Sequence, residues 1–452
     1  MNGSNEMSDK YAAIEISLQK ISEIDQSGYR LNSVLALTQN FEINHKEGVL
    51  AGMPLLIKDN IEAIGLPATA GSRALIGRKV ERDSTIARRL REAGATIVGS
   101  ANLSEWANIR SNKSTSGWSA VGGLTANPWK HAHSAGGSSS GSGAAVAAGL
   151  VSMAIGSETD GSIVCPASLN GCVGIKPTVG AIPRDAMIPI STSQDSPGPM
   201  AQTVRQGALL LDVLTARNEY LRAAEETSAL RIGVVKEWAT TNRATNQLFA
   251  DLASRLSKAN ISISEISLPD PSEQEAENEF KVLMHELRDD MSQYLSARPG
   301  AGVKNLAEIV AFNNSDEIEM QYFGQEYFEL ALELGGRTAD YRKLREANLD
   351  WAKNKVLGPA FEKFDILIGE TYAPAWTSKL GQGDDYSSAT WISMAPAIAG
   401  TPIGALPMGI ADGLPVAVGV LARANQEALL IQAMAEIEKV LDLGVLQPTF
   451  LK

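Results

Sequence analysis

Cysteine is almost missing from this chain: 452 residues hold only two, Cys165 and Cys172. That excludes a disulfide framework and points to a reducing compartment. Histidine is nearly as scarce, at four residues, which leaves little for a metal centre or a Ser–His relay. His131 and His133 form an isolated His-x-His with no Cys or third ligand nearby, so they read as surface-loop residues. No apolar run approaches the roughly 20 residues of a membrane span. The N-terminus lacks the basic-then-apolar order of a signal peptide. Positive charge is also short. There are 40 Lys and Arg against 52 Asp and Glu, a net charge of -12, the reverse of what a nucleic-acid partner needs. The expectation is a cytoplasmic protein without membrane or nucleic-acid partners; a secreted form trimmed of its leader would have the same look.

What is present is globular. Hydrophobic residues make up 44% of the chain, enough for a large core. Apolar positions at helical spacing (Ile14, Leu18, Ile21, Ile24) predict a helical N-terminal arm over about 1–45. "GMPLLIKDNI" reads as a buried strand with Lys58 at its C-terminal end. "STIARRLREAGATIVGSANLSEW" reads as helix, glycine stop and strand at Thr96 to Val98. This alternation predicts an α/β fold. Residues 50–230 form the core of that pattern. A strand "LRIGVV" opens 231–365, which turns acidic and helical and reads as cap-like. "FDILIG", "GTPIGALPMG" and "LPVAVGVLA" return as strands in 366–452, and a helix near Gln426 to Val440 closes the chain. All of this reads as one domain over 1–452.

"AGGSSSGSGAAVAAG", Ala135 to Gly149, is the only low-complexity stretch, and four readings compete for it. A flexible Gly/Ser linker would not merge at once into an alanine helix. A phosphate loop at a helix N-terminus lacks the Gly-Lys-Ser/Thr end and the preceding strand. Gly137 to Gly141 fits G-x-S-x-G, which would make Ser139 an elbow nucleophile. The strand before the elbow is again absent, and only His285 lies downstream to serve as base.

The fourth reading comes from the downstream residues 156–178, "GSETDGSIVCPASLNGCVGIKPT". A Gly/Ser loop, a helix, a strand and a second glycine-serine turn, in this order, resemble the amidase signature family. That family's marks are a "GGSSGG" loop, a "TGGSIR.PA" turn and a "G.KPT" close. The likeness extends through "KDN" (Lys58 to Asn60), "TAGS", "NPW", "SQDSPGPM" (Ser193 to Met200) and the C-terminal strands. It spans about 50–440 and is weakest in the acidic middle. It implies a single domain with a central mixed β-sheet covered by helices on both faces.

It also implies a Ser–Ser–Lys triad whose bridging serine has cis peptide geometry. Residue by residue, the nucleophile is Ser162, the bridge Ser138 and the base Lys58. The backbone of Thr159, Asp160, Gly161 and Ser162 forms the oxyanion hole. A serine hydroxyl attacks only when a base takes its proton, and lysine is that base only when neutral. Burial supplies the necessary depression of its pKa, and "MPLLI" before Lys58 is a suitably apolar setting. Asp59 beside it counts against the reading if it points inward.

The implied reaction is hydrolysis of a carboxylic amide to acid and ammonia or amine, through an acyl-enzyme, with no metal or organic cofactor. The turn departs from the common "TDTGGSIR": Asp160 stands for a glycine and Val164 for the arginine, and Gln202 replaces an arginine further on. "SGWSA", "KPTVG" and "SQD" look most like the peptide amidase branch, which takes ammonia from C-terminal peptide amides. Open alternatives are small aliphatic or aryl amides, the amidase subunit of a tRNA-dependent amidotransferase, and an inactive binding homologue. The substrate is a small-molecule or peptide amide, and the protein a monomer or homodimer. Arg110 and Trp118 are further residues considered for the substrate pocket.

Overall fold

The computed structural model describes residues 3–39, 42–78 and 80–451. Helix α1 (Gly3–Lys20) runs into a π-helical turn at Ile21–Gln26. The helical arm then ends earlier than its periodicity suggested. Arg30 and Asn32 take positive φ, and the Asp25 carboxylate accepts from Ser33 N–H at 2.7 Å, closing a turn. Residues Val34–Leu37 are therefore a strand, β1. Residues 1–2 and 40–41 of the expected 1–45 arm lie outside the described residues.

The chain continues through β2 (Pro54–Lys58), α2 (Thr85–Glu92), β3 (Thr96–Ala101) and a small ribbon of β4 (Trp118–Ser119) and β5 (Gly123–Leu124). Next come α3 (Ser140–Ala147), β6 (Met153–Glu158), α4 (Val164–Asn170), β7 (Val173–Lys176), β8 (Ser196–Ala201), α5 (Val204–Thr215) and α6 (Tyr220–Ala223). The acidic region holds β9 (Arg231–Val235), α7 (Arg243–Lys258), β10 (Ser262–Ile266), α8 (Glu273–Ala297), α9 (Leu306–Asn313), α10 (Glu326–Leu334), α11 (Ala339–Leu349) and α12 (Gly358–Lys363). It thus contributes two strands as well as its helices. Then follow β11 (Ile366–Glu370), α13 (Met394–Ala399), β12 (Ile403–Ala411), β13 (Leu414–Leu421) and α14 (Glu427–Leu441).

Among the described residues, eleven strands form one mixed sheet in the order β1-β3-β2-β6-β8-β7-β12-β13-β11-β9-β10. β2 is parallel to both β3 and β6, β8 runs antiparallel to β6, and the far edge β11-β9-β10 is parallel again. Both faces are covered, so strands near the centre are apolar without alternation. In β2, Leu56 packs into the cluster containing α3 and α4. Leu55 and Ile57 pack into the opposite cluster, under α2, α5 and α14. A third cluster, around Trp106, Met284 and Phe328, joins α8, α9 and α10 to the body of the fold. Open α/β sheets with parallel neighbours bind ligands outside the carboxyl ends of their strands. Here the C-terminal ends of β2 and β6 lie side by side.

Candidate active site

Side chains alternate across a strand, so Lys58 falls on the same face as Leu56, toward α3. Its side chain is fully buried. Nζ lies 2.7 Å from Ser138 Oγ, 3.1 Å from the Ser157 carbonyl and 3.0 Å from Ser157 Oγ. Asn60 Nδ2 donates to that same Ser157 hydroxyl at 2.9 Å. Burial pulls the Lys58 pKa down to about 7, and the nearby Asp195 and Glu158 carboxylates hold it from falling further. Asp59 turns away, into the loop after β2, where its carboxylate accepts from Thr69 N–H at 2.9 Å. Burial pushes Asp59 up to about 6 despite those donors.

The Gly/Ser stretch is buried without a break from Ser134 to Ala148. The Gly137–Ser138 peptide is cis. Ser138 presents its hydroxyl to Lys58, and its carbonyl accepts from Ser104 N–H at 3.1 Å. Ser139 has a different task. Its Oγ donates to the Ser157 carbonyl at 3.0 Å and accepts from Ser157 N–H at 3.1 Å, pinning the loop to β6. It is wholly enclosed, unlike an attacking serine on an elbow.

The turn after β6 is held from three sides. Glu158 Oε2 accepts from the N–H groups of Ile163 and Val164, at 2.7 and 2.9 Å, which stations an anion at the N-terminus of α4. Thr159 Oγ1 donates to Asp195 Oδ1 at 2.6 Å, and Asp195 also accepts from Ile190 and Ser191 N–H. Ser139 N–H donates to the Ser162 carbonyl at 3.1 Å, joining the turn to the Gly/Ser loop. Gly161 has φ of +74°, and a Cβ there would sit 2.9 Å from Tyr372 OH, so both conformation and space call for glycine. Among the described residues, the N–H groups of Asp160, Gly161 and Ser162 donate to no protein acceptor. Ser162 is 8% exposed. Free N–H groups on a tight turn beside a hydroxyl, with a buried amine close by, are the equipment of acyl transfer.

The structure thus brings Lys58 and Ser138 into contact and ties Ser162 and the Thr159–Ser162 backbone to the same loop. It does not bring Arg110 or Trp118 there. Arg110 is sealed in an ion cluster with Glu105 and Glu319, and Trp118 packs edge-on against Tyr322 and Phe323. His131 is exposed and His133 half-buried. Sequence reasoning does not single out Ser157, Glu158 or Asp195 as supports, nor Glu279 and Ser393, which meet Asp160. Asp195 is visible only as part of "SQDSPGPM"; nothing in the spacing ties it to Lys58. A cavity of about 160 Å³ is lined by residues that include Tyr372, Trp376 and Asp385. A larger one, about 940 Å³, lies between β1 and the 64–83 loop and contains none of these groups. Among the described residues, no helix is long and apolar enough to cross a membrane.

A family model described as Amidase matches residues 12–431. The peptide amidase of Stenotrophomonas maltophilia superposes with a TM-score of 0.91 at 35% identity, covering 98% of this chain and 96% of that one. A probable amidase of Arabidopsis thaliana is 34% identical, over 81% of this chain and 73% of the relative. A glutamyl-tRNA(Gln) amidotransferase subunit of Methanococcoides burtonii is 30% identical, over 95% of this chain and 94% of the relative.

Proposed function

The chain belongs to the amidase family and hydrolyses carboxylic amides; within that chemistry we propose that it acts on C-terminal peptide amides with Ser162 as nucleophile, Ser138 as relay and Lys58 as base. The observation that carries the site assignment is the 2.7 Å contact of a fully buried Lys58 with Ser138. A neutral amine has two N–H groups and one lone pair. Two of the three contacts of Nζ are met by donation to Ser157, which leaves the lone pair for the Ser138 hydroxyl proton. A charged amine has no lone pair to offer.

Ser138 Oγ gives its proton to Lys58 and takes one from Ser162 Oγ, which bonds to the amide carbon. The carbonyl oxygen becomes anionic and receives the free N–H groups of the 160–162 turn. Loss of one such donor typically costs on the order of 100-fold or more in rate. The C–N bond then breaks, and the proton held by Lys58 returns through Ser138 to the leaving nitrogen, releasing ammonia. Water repeats the sequence on the ester, freeing the acid and restoring Ser162.

The peptide end of the proposal rests on the likeness to the peptide amidase and on the "SGWSA", "KPTVG" and "SQD" stretches. The likeness to the archaeal amidotransferase supports a second reading, an amidase working inside a complex. Two free, buried thiols, Cys165 and Cys172, suit a cytoplasmic setting. Ammonia release from peptide amides, aliphatic amides, aryl amides and glutamine separates these substrates. The Ser162→Ala protein is expected to fold normally, by circular dichroism and Tm, and to lose turnover by a factor of roughly 10⁴ or more. Undiminished turnover in that variant overturns the serine assignment.

A further inference from the structure

Asp160 stands in the turn that carries the free N–H groups. Its Oδ1 is closed off from solvent and, among the described residues, has no hydrogen-bond partner. The Ser393 hydroxyl faces this carboxylate and favours its charged form. Facing it as well is another acid, Glu279 of α8. Glu279 is itself buried, and its Oε1 already accepts from Gln194 Nε2 at 2.9 Å. Two ionised carboxylates so close repel, and a buried acceptor left without a donor is costly. One proton on the pair removes both difficulties.

We propose that Glu279 is a positioning residue for the amidase reaction: its protonated carboxyl donates a hydrogen bond to Asp160 Oδ1 and so tethers the catalytic turn to α8. The proposal rests on the serine reading above, because the turn matters only if it serves Ser162. Burial raises the pKa of both acids, and the negative charge of Asp160 raises that of Glu279 further. The charged and titratable groups facing the pair are Glu158 from β6, Lys176 from β7, Arg345 from α11 and Tyr372 after β11. Lys176 and Arg345 favour ionisation of Asp160 and Glu279 respectively; Glu158 opposes that of Asp160. As pH rises the shared proton leaves, the contact becomes repulsive, and the turn loses its anchor on the helical cap. The tether therefore appears as an alkaline limb in kcat.

The test compares kcat against pH for wild type, Glu279→Gln and Glu279→Leu on a peptide amide, reading ammonia. The glutamine amide donates to Asp160 at every pH, so Glu279→Gln keeps the wild-type kcat near neutrality and loses the alkaline limb. Glu279→Leu removes the donor and lowers kcat by roughly 10- to 100-fold throughout, the scale of a misplaced catalytic contact, with little change in KM. A wild-type alkaline limb in Glu279→Gln overturns the tether, as does a wild-type kcat in Glu279→Leu. Infrared spectra supply a second check, read as wild type minus Glu279→Gln at neutral pH, because Glu105 is another buried acid raised well above the ordinary range. A protonated-carboxyl carbonyl band lost in the variant supports the shared proton, and identical bands in the two proteins overturn it. An inactive Ser162→Ala together with an unchanged limb in Glu279→Gln sinks the tether alone; an active Ser162→Ala sinks the serine reading.

Discussion

Lys58, as the proposed base, ties a rate to a stability. In the proposed role of base it works only when neutral, and its neutral fraction grows as pH rises through about 7. The acid limb of kcat/KM is expected to carry that apparent value, measured by initial rates from pH 5 to 9. Asp195→Asn removes a charge that favours the ammonium, so that limb moves to lower pH. The stability effect has its own sign. The folded value lies below the unfolded one of 10.5, so the unfolded chain binds more protons between the two, and stability rises with pH across that window. Below about pH 7 the full penalty applies, about 5 kcal/mol for this shift. Lys58→Met escapes the penalty but loses hydrogen bonds worth about 1 kcal/mol each. Its Tm should exceed wild type at pH 6, and the advantage should vanish by pH 10 while activity stays absent. A Tm below wild type at pH 6 contradicts the buried-amine account. The buried place of Lys58 at a strand end was legible from "MPLLIK", an apolar run ending in a charge. Its electrostatic partners were not, because Asp195 is brought beside it by β8 pairing across β6, a contact of long sequence separation.

At the scale of elements, legibility followed burial pattern. β2, β3, β6, β11, β12 and β13 are runs of apolar residues bounded by glycine or charge, and each was readable. β10, "SISEI", is a largely exposed edge strand without an apolar face, so its pattern carried little signal. β8 contains Pro197 and Pro199, which ordinarily argue against an interior strand. The structure accommodates them because β7 pairs with β8 only at Met200 and Ala201, leaving the proline half to β6. Helix α3 depends on glycine for a reason its composition suggested but could not locate. A Cβ on Gly141 would lie 2.3 Å from the Ser33 carbonyl oxygen and 2.5 Å from Asn102 N, both backbone atoms. Gly141→Ala gains about 1 kcal/mol of helix propensity. Against that stands overpacking of rigid backbone, about 3 kcal/mol or more. The clash wins, and urea denaturation should show a net loss of roughly 2 kcal/mol. A stabilised variant would mean that α3 does not seat this closely on β3, and the placement of Ser138 would fall with it.

At the scale of the whole molecule, the acidic helical region is joined to the sheet domain by a buried ion cluster as well as by apolar packing. Arg110 Nη1 meets Glu105, from the segment after β3, and Glu319, from the loop between α9 and α10, the latter at 2.8 Å. Nη2 donates to the Glu319 carbonyl at 2.7 Å, and the guanidinium lies 4.3 Å over the Phe323 ring. All three side chains are fully enclosed. Burial, and then the Glu319 charge, push Glu105 well above the ordinary carboxylate range, with Arg110 opposing. One guanidinium thus holds two acids that could not otherwise share this space. Such a cluster adds little over a well-packed apolar substitute, but removing one partner strands the rest at a cost of about 3–5 kcal/mol. Arg110→Met is therefore expected to lower unfolding stability by that amount. Hydrogen exchange should quicken first in α9 and α10, where the cap meets Trp106 and Phe328. Because Arg110 touches none of Lys58, Ser138 or Ser162, the folded fraction should keep its kcat at low temperature. A wild-type stability would mean that apolar packing alone fastens the cap. A lost kcat in protein that remains folded would mean that the cluster also shapes the turn at residues 159–162.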